Sequence, residues 1–109
     1  MATGLFKNAK VSGADATTGT SLYTVPSGKY STIHAIHCVN KYNLEDLYIN
    51  IEIVNGADSY YIAYLLPVTA NIPTVIERPI NLEDSEVLRV TASRADSIDV
   101  VASVLEFTP

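Results

Sequence analysis

Asp46-Leu-Tyr-Ile-Asn-Ile-Glu-Ile-Val54 is the stretch that decides the fold class. Its side chains alternate with a period of two, which is the period of a β-strand and not of a helix. One face of this strand carries the aliphatic side chains Leu47, Ile49, Ile51 and Ile53. The other, mostly polar, carries Tyr48, Asn50, Glu52 and Val54. We therefore predict a half-buried strand whose aliphatic face is the centre of the core.

A second β-rich run, residues 59–66, follows the turn-forming segment Asn55-Gly-Ala-Asp58. Glycine tolerates the positive φ of a tight reversal, so the two runs are predicted to form a hairpin. Six further strands are predicted at residues 5–11, 20–25, 29–39, 72–77, 86–93 and 98–107, with 80–85 as a loop. No window of ten or more residues has a helical period, so we expect no helix of consequence.

Eight short strands separated by frequent turns predict an all-β fold, an antiparallel β-sandwich of jelly-roll type. The length of 109 residues fits one domain, so residues 1–109 are expected to form a single sandwich whose first twenty residues are partly loop or arm. Hydrophobic residues make up 48% and charged residues 17%, a balance that predicts surface contact with a partner.

The net charge of −5 disfavours phosphate backbones and anionic lipid, so we expect no nucleic-acid and no membrane partner. The first ten residues lack the apolar run of a signal peptide, and the chain has no apolar span of about 18 residues. We expect neither signal-directed secretion nor a membrane span. The single Cys38 cannot form an internal disulfide, and its apolar neighbours predict a buried thiol.

His34, His37 and Cys38 have the residue types of a metal site. On a regular strand, however, His34 and His37 face opposite sides, and His34 and Cys38 are separated by roughly 13 Å along one face. They cannot share a metal at about 2 Å, so we expect structural roles, or else a site completed across a symmetry axis. The sequence contains no catalytic, phosphate-binding or calcium-binding motif. We expect no enzyme activity, no catalytic residues, no metal and no cofactor.

Tyr60, Tyr61 and Tyr64 follow the predicted hairpin turn. Aromatic faces with polar handles can stack on sugars, so one hypothesis is a glycan-binding module that uses these three tyrosines. The alternative is that they fill a core or a protein interface. The sequence has no tryptophan, and this favours the alternative.

Apolar residues occupy both faces of the last predicted strand. Ile98, Val100, Ala102 and Val104 form an unbroken set that should point into the core. The opposite face then carries Val101, Leu105 and Phe107. A two-layer sandwich buries only one face of each sheet, so we expect these three residues and the three tyrosines to contact another subunit.

Four segments carry a family resemblance: Tyr23-Thr-Val-Pro-Ser-Gly-Lys29, the strand with Ile33 and Ile36, residues 82–93, and residues 98–106. Together they resemble the small all-β virion structural proteins of tailed bacteriophages. The resemblance implies a capsid decoration (cement) protein, or alternatively a neck, tail or fibre-associated component. It also implies synthesis in the host cytoplasm, a place in the virion, and other virion proteins as partners. These would be the major capsid protein and the chain itself, in a trimer.

Overall fold

The computed structural model describes residues 3–109, which form nine β-strands in two antiparallel sheets. The strands are β1 (Thr3–Val11), β2 (Thr20–Thr24), β3 (Tyr30–Asn40), β4 (Leu47–Asn55), β5 (Asp58–Val68), β6 (Thr74–Ile76), β7 (Ile80–Leu82), β8 (Val87–Ala92) and β9 (Ile98–Thr108). Sheet I has the order β1-β9-β3, with β6 and β7 both paired to the far side of β3. Sheet II has the order β2-β8-β4-β5. The predicted all-β sandwich is confirmed.

The aliphatic face of β4 lies in the core, as predicted. Leu47, Ile49 and Ile51 are buried, and Ile53 is half-buried. They belong to one continuous cluster with the inward residues of sheet I, among them Ile36 and Val100. Fully burying one such side chain is worth about 1.5–3 kcal/mol, so this face contributes heavily to holding the sheets together. Residues 3–109 contain no helix that is long and apolar enough to cross a membrane.

The predicted hairpin joins β4 to β5 through a two-residue turn. Asn55 pairs with Asp58, and Gly56 has a φ of 60° as the first central residue of the turn. Glycine adopts this conformation without the steric cost that a Cβ would bring. The turn therefore forms where the sequence places it.

Residues 80–82 form a strand where the sequence predicts a loop. Ile80–Leu82 pairs with Ser31–Ile33 of β3, and Leu82 is buried. Three residues are too few to show a period, and the strand exists because β3 supplies its hydrogen-bonding partners. The count is therefore nine strands and not eight.

A β-bulge interrupts β3 between Ile33 and Ala35. The extra residue shifts the alternation, so that His34 and His37 both lie on the solvent face while Cys38 is buried. The prediction that the two histidines face opposite sides, with His34 on the face of Cys38, is wrong for this reason. The prediction of a buried thiol is confirmed, and burial raises the pKa of Cys38 to about 12.

A buried polar cluster joins the two sheets at one end of the sandwich. Tyr23 of β2 donates its hydroxyl proton to Glu106 of β9 across 2.5 Å, and the Ser31 hydroxyl lies 2.7 Å from the same Tyr23 oxygen. Lys7 and Lys29 reach the Glu106 carboxylate at 3.2 and 3.4 Å. The Tyr23 hydrogen bond and the two lysines hold the pKa of Glu106 below its usual value. Burial and the neighbouring Glu106 raise the pKa of Tyr23 to about 12.

Replacing Glu106 by Gln tests this cluster. A carboxyl whose pKa is lowered in the folded state stabilises the fold above its ordinary pKa of 4.5, and this stabilisation is lost as the pH falls through the folded-state pKa. We expect Glu106→Gln to lower the free energy of unfolding by about 1–3 kcal/mol at neutral pH. The deficit should shrink in acid, where Glu106 is itself protonated. Urea denaturation at neutral pH and again at acidic pH measures the difference. Glu77→Gln, at an exposed carboxyl, is the matched control. An equal deficit at both pH values would contradict this account.

Candidate interaction surfaces

The six residues predicted to form an interface lie on two separate surfaces. Tyr60, Tyr61 and Tyr64 lie on β5, the edge strand of sheet II. The other three lie on the solvent face of β9, inside sheet I: Val101, Leu105 and Phe107. The structure does not bring the two sets together, and they form two distinct surfaces.

The first surface, the aromatic edge, consists of Tyr60, Tyr61, Tyr64 and Leu65, all of which are exposed. Two irregularities shape it, because β5 has more residues than the segment of β4 that it pairs with. At the first irregularity, two residues of β5, Tyr64 and Leu65, lie opposite the single residue Asn50 of β4. Leu65 adopts a φ of 54°, which costs roughly 1–2 kcal/mol for a residue with a side chain. The Asn50 side-chain oxygen accepts the Leu65 N–H at 2.7 Å and holds this conformation.

These bulges interrupt the alternation of side chains that the sequence of β5 would give as a regular strand. Regular alternation places Tyr61 and Tyr64 on opposite faces, yet their rings meet edge to face with centroids 4.9 Å apart. Ile62, Ala63 and Leu66 pack against the core instead. The extra residues of a bulge re-aim the side chains that follow it, so the tyrosines are presented together.

The second surface is the outer face of sheet I. In β9, Ile98, Val100, Ala102 and Val104 are buried and the alternate residues point outward, so the predicted in and out faces are confirmed. Val101 is exposed, whereas Leu105 and Phe107 are only half-buried on the outside of the sheet. Phe107 stacks on Tyr30 of β3, with centroids 5.1 Å apart.

Phe6 and Tyr30 complete this surface, and sequence analysis missed both. Phe6 of β1 lies directly across from Leu105 and is 78% exposed. Its ring centroid is 6.2 Å from that of His34. Neither residue is marked by a local motif, because their place beside β9 follows only from the pairing of strands distant in sequence. The outer face of sheet II differs, since its centre holds an ion pair between Glu52 and Arg89 at 2.6 Å.

Metal-ligating clusters and cavities were sought across the described part of the chain. Residues 3–109 contain no group of three or more His, Cys, Asp and Glu side chains placed to hold a metal. The same residues enclose no pocket.

Comparison with known proteins places the fold among those of viral capsids. No protein-family model and no curated protein sequence matches the chain. A chain of the T13 particle of infectious bursal disease virus matches with a TM-score of 0.59 and 11% identity, over 96% of this chain and 31% of the viral one. The Gx strain of that virus matches with a TM-score of 0.53 and 10% identity, over 98% and 37%.

A chain of the acid-stable capsid of Helicobacter pylori bacteriophage KHP30 matches with a TM-score of 0.56 and 15% identity. This alignment covers 100% of the present chain and 94% of the phage chain. The present chain thus spans about a third of the infectious bursal disease virus chains but nearly the whole of the KHP30 chain. At these identities the likeness shows a shared fold.

Val100 and Val101 are adjacent residues of one type on opposite faces of β9, and they provide a matched test of the face assignment. Val100→Ser places a hydroxyl in the core and should lower the free energy of unfolding by about 1–3 kcal/mol. Val101→Ser, on the outer face, should change it by less than about 0.5 kcal/mol. Urea denaturation of the two variants at low protein concentration measures both values. Equal losses would show that something also buries Val101.

Proposed function

We propose that the chain is a non-enzymatic virion structural protein, specifically a capsid decoration (cement) protein that docks on a bacteriophage head and stabilises it. Its partners are then the major capsid protein and further copies of itself, and it acts in the virion after synthesis in the host cytoplasm. The observation that carries the proposal is the nearly end-to-end match with the KHP30 capsid chain.

The extent of that match supports the proposal, because it shows that this fold alone can make up almost all of a capsid chain. In infectious bursal disease virus the same fold takes up about a third of a longer chain. In the phage capsid it takes up nearly all of a chain of similar length. A sandwich of this size has most of its residues near the surface, so it is suited to binding a preformed shell.

The aromatic edge is the surface that we assign to contact with the capsid. From Ser59 to Val68 the strand carries no charged residue, and the centre of protein interfaces is similarly depleted of charge and enriched in tyrosine. The bulges of β5 and Pro67 discourage another strand from pairing with this edge. Contact therefore takes place through side chains, with Tyr61 and Tyr64 at the centre.

Two alternative functions would also use the aromatic edge. A neck, tail or fibre-associated protein would dock through it at a different place on the particle. A glycan-binding module would use the exposed rings of Tyr60, Tyr61 and Tyr64 to stack on sugars, and their clustering at the edge favours this as the second candidate. Image reconstruction of the intact particle distinguishes the first alternative, because it locates the chain directly.

Phage particles that lack the protein provide the main test. We expect the purified chain to bind them saturably, at a fixed number of copies per lattice point, and to raise the temperature at which they rupture. Replacing both Tyr61 and Tyr64 by Ser should weaken binding about tenfold or more, because buried tyrosines commonly dominate interface energies. Leu44→Ser, at an exposed apolar residue outside both surfaces, should bind normally.

A glycan array read with the free protein completes this experiment. One contrary outcome is that the free protein binds sugars saturably, loses this binding in the double tyrosine variant and does not bind particles. The function would then be glycan recognition and not capsid decoration. If the protein binds neither particles nor sugars, the decoration role is wrong.

A further inference from the structure

We propose that two copies of the chain associate through the outer face of sheet I, packed face to face with their strands running in opposite directions. This association involves only the chain itself, so it does not depend on a role in the virion. It also leaves the aromatic edge of sheet II free for another partner.

The register of sheet I sorts the outer face into rows of different chemistry. The rows, read from β1 through β9 to β3, are Gly4-Phe107-Tyr30, Phe6-Leu105-Thr32, Asn8-Ser103-Ala35 and Lys10-Val101-His37. The first two rows are rich in aromatic and aliphatic groups. The third consists of small or short side chains, the fourth carries Lys10 and His37, and the bulge places the exposed His34 between the second and third rows.

The size of this face suits a stable dimer. The two longest strands of sheet I, β3 and β9, have eleven residues each, and the sheet is four strand positions wide. At about 3.3 Å per residue and about 4.8 Å per strand, the footprint is roughly 36 by 19 Å, or about 700 Å². A stable protein interface buries about 800 Å² on each partner, so pairing must use nearly the whole face.

The charges of the face suit burial against a second copy. The chain has twelve acidic residues, yet none lies in these four rows. On the outer face of β9 the acid is Asp99, which lies with Val39 in the row beyond Lys10 and is already paired with Lys41 at 2.9 Å. Lys10 is therefore the permanent charge that a partner must accommodate, and it lies toward one end of the face.

Packing the two copies with their strands in opposite directions gives the Lys10 ammonium group a favourable contact. A two-fold axis that runs across the strands places the row of Asn8, Ser103 and Ala35 on itself and lays each Lys10 row over the Phe6 row of the second copy. Lys10 then lies over the exposed ring of Phe6, a favourable cation–π contact, and Val101 lies against Leu105. The short side chains of the central row allow the sheets to approach to the usual spacing of about 10 Å.

The other two-fold arrangement is less favourable. An axis along the strands lays each row on itself and places β1 over β3 of the second copy. Lys10 would then lie over His37 and Phe6 over Thr32, so that Lys10 loses the contact with the aromatic ring of Phe6. The distribution of charge therefore selects the reversed arrangement.

Light scattering during gel filtration at micromolar concentration tests the association. We expect a mass of twice the 11.8 kDa of the chain. Ser103→Lys sets two ammonium groups against each other at the centre of the dimer and should raise its dissociation constant about tenfold or more without changing the melting temperature of the monomer. Thr24→Lys, at an exposed strand position of sheet II, should leave the dimer intact.

Cross-linking distinguishes the two arrangements. A mixture of the Phe6→Cys and Lys10→Cys variants, treated with a short bis-maleimide, should give a covalent dimer containing one copy of each. Cys38 is buried and so should not compete. Mixing Lys10→Cys with His37→Cys should give little product. Linkage in the second mixture alone would overturn the reversed arrangement.

Three results would overturn the association itself. The first is a monomer at all micromolar concentrations, and the second is a trimer, the stoichiometry expected from the family resemblance. The third is a dimer that Ser103→Lys leaves intact but that the Tyr61 and Tyr64 double variant disrupts, which would move the interface to the aromatic edge.

Discussion

The aliphatic face of β4 can leave water only if a second layer covers it, and the rest of the structure depends on this constraint. Ile49 and Ile51 are fully buried because sheet I lies across them. In sheet I, every second residue of β9 from Ile98 to Val104 points inward, toward sheet II. The two sheets are therefore mutually required, since neither has enough apolar contact to fold alone.

A sandwich closed by apolar contact still has open ends, and the Glu106 cluster organises one of them. Tyr23 belongs to sheet II and Glu106 to sheet I, so their hydrogen bond ties the sheets together where the core ends. Lys7 adds β1 to the same carboxylate. Because a buried carboxylate is tolerated only with such partners, the cluster also fixes the position of the strands that supply them.

Once the core is filled, the remaining apolar residues must lie outside, and the structure divides them into two surfaces of different character. The outer face of sheet I is broad, with aromatic rings toward one end and Lys10 toward the other. The aromatic edge is narrow and is shaped by the strained Leu65, whose N–H donates a hydrogen bond to the Asn50 side-chain oxygen. A broad self-complementary face suits a second copy, and a narrow tyrosine-rich edge suits a different protein.

The sequence by itself determined the fold class, the β4–β5 hairpin and the two faces of β9, because alternation and turn residues are local properties that need no partner strand. The tertiary structure alone decided the faces of His34, His37, Tyr61 and Tyr64, since a bulge is an extra residue in one strand relative to its partner and exists only once the two strands are paired. It also decided that Ile80–Leu82 is a strand, because β3 supplies the hydrogen bonds of that segment. The tertiary structure also decided which residues make up the outer face of sheet I. Phe6, Leu105 and Tyr30 become neighbours only through the register of strands far apart in the chain.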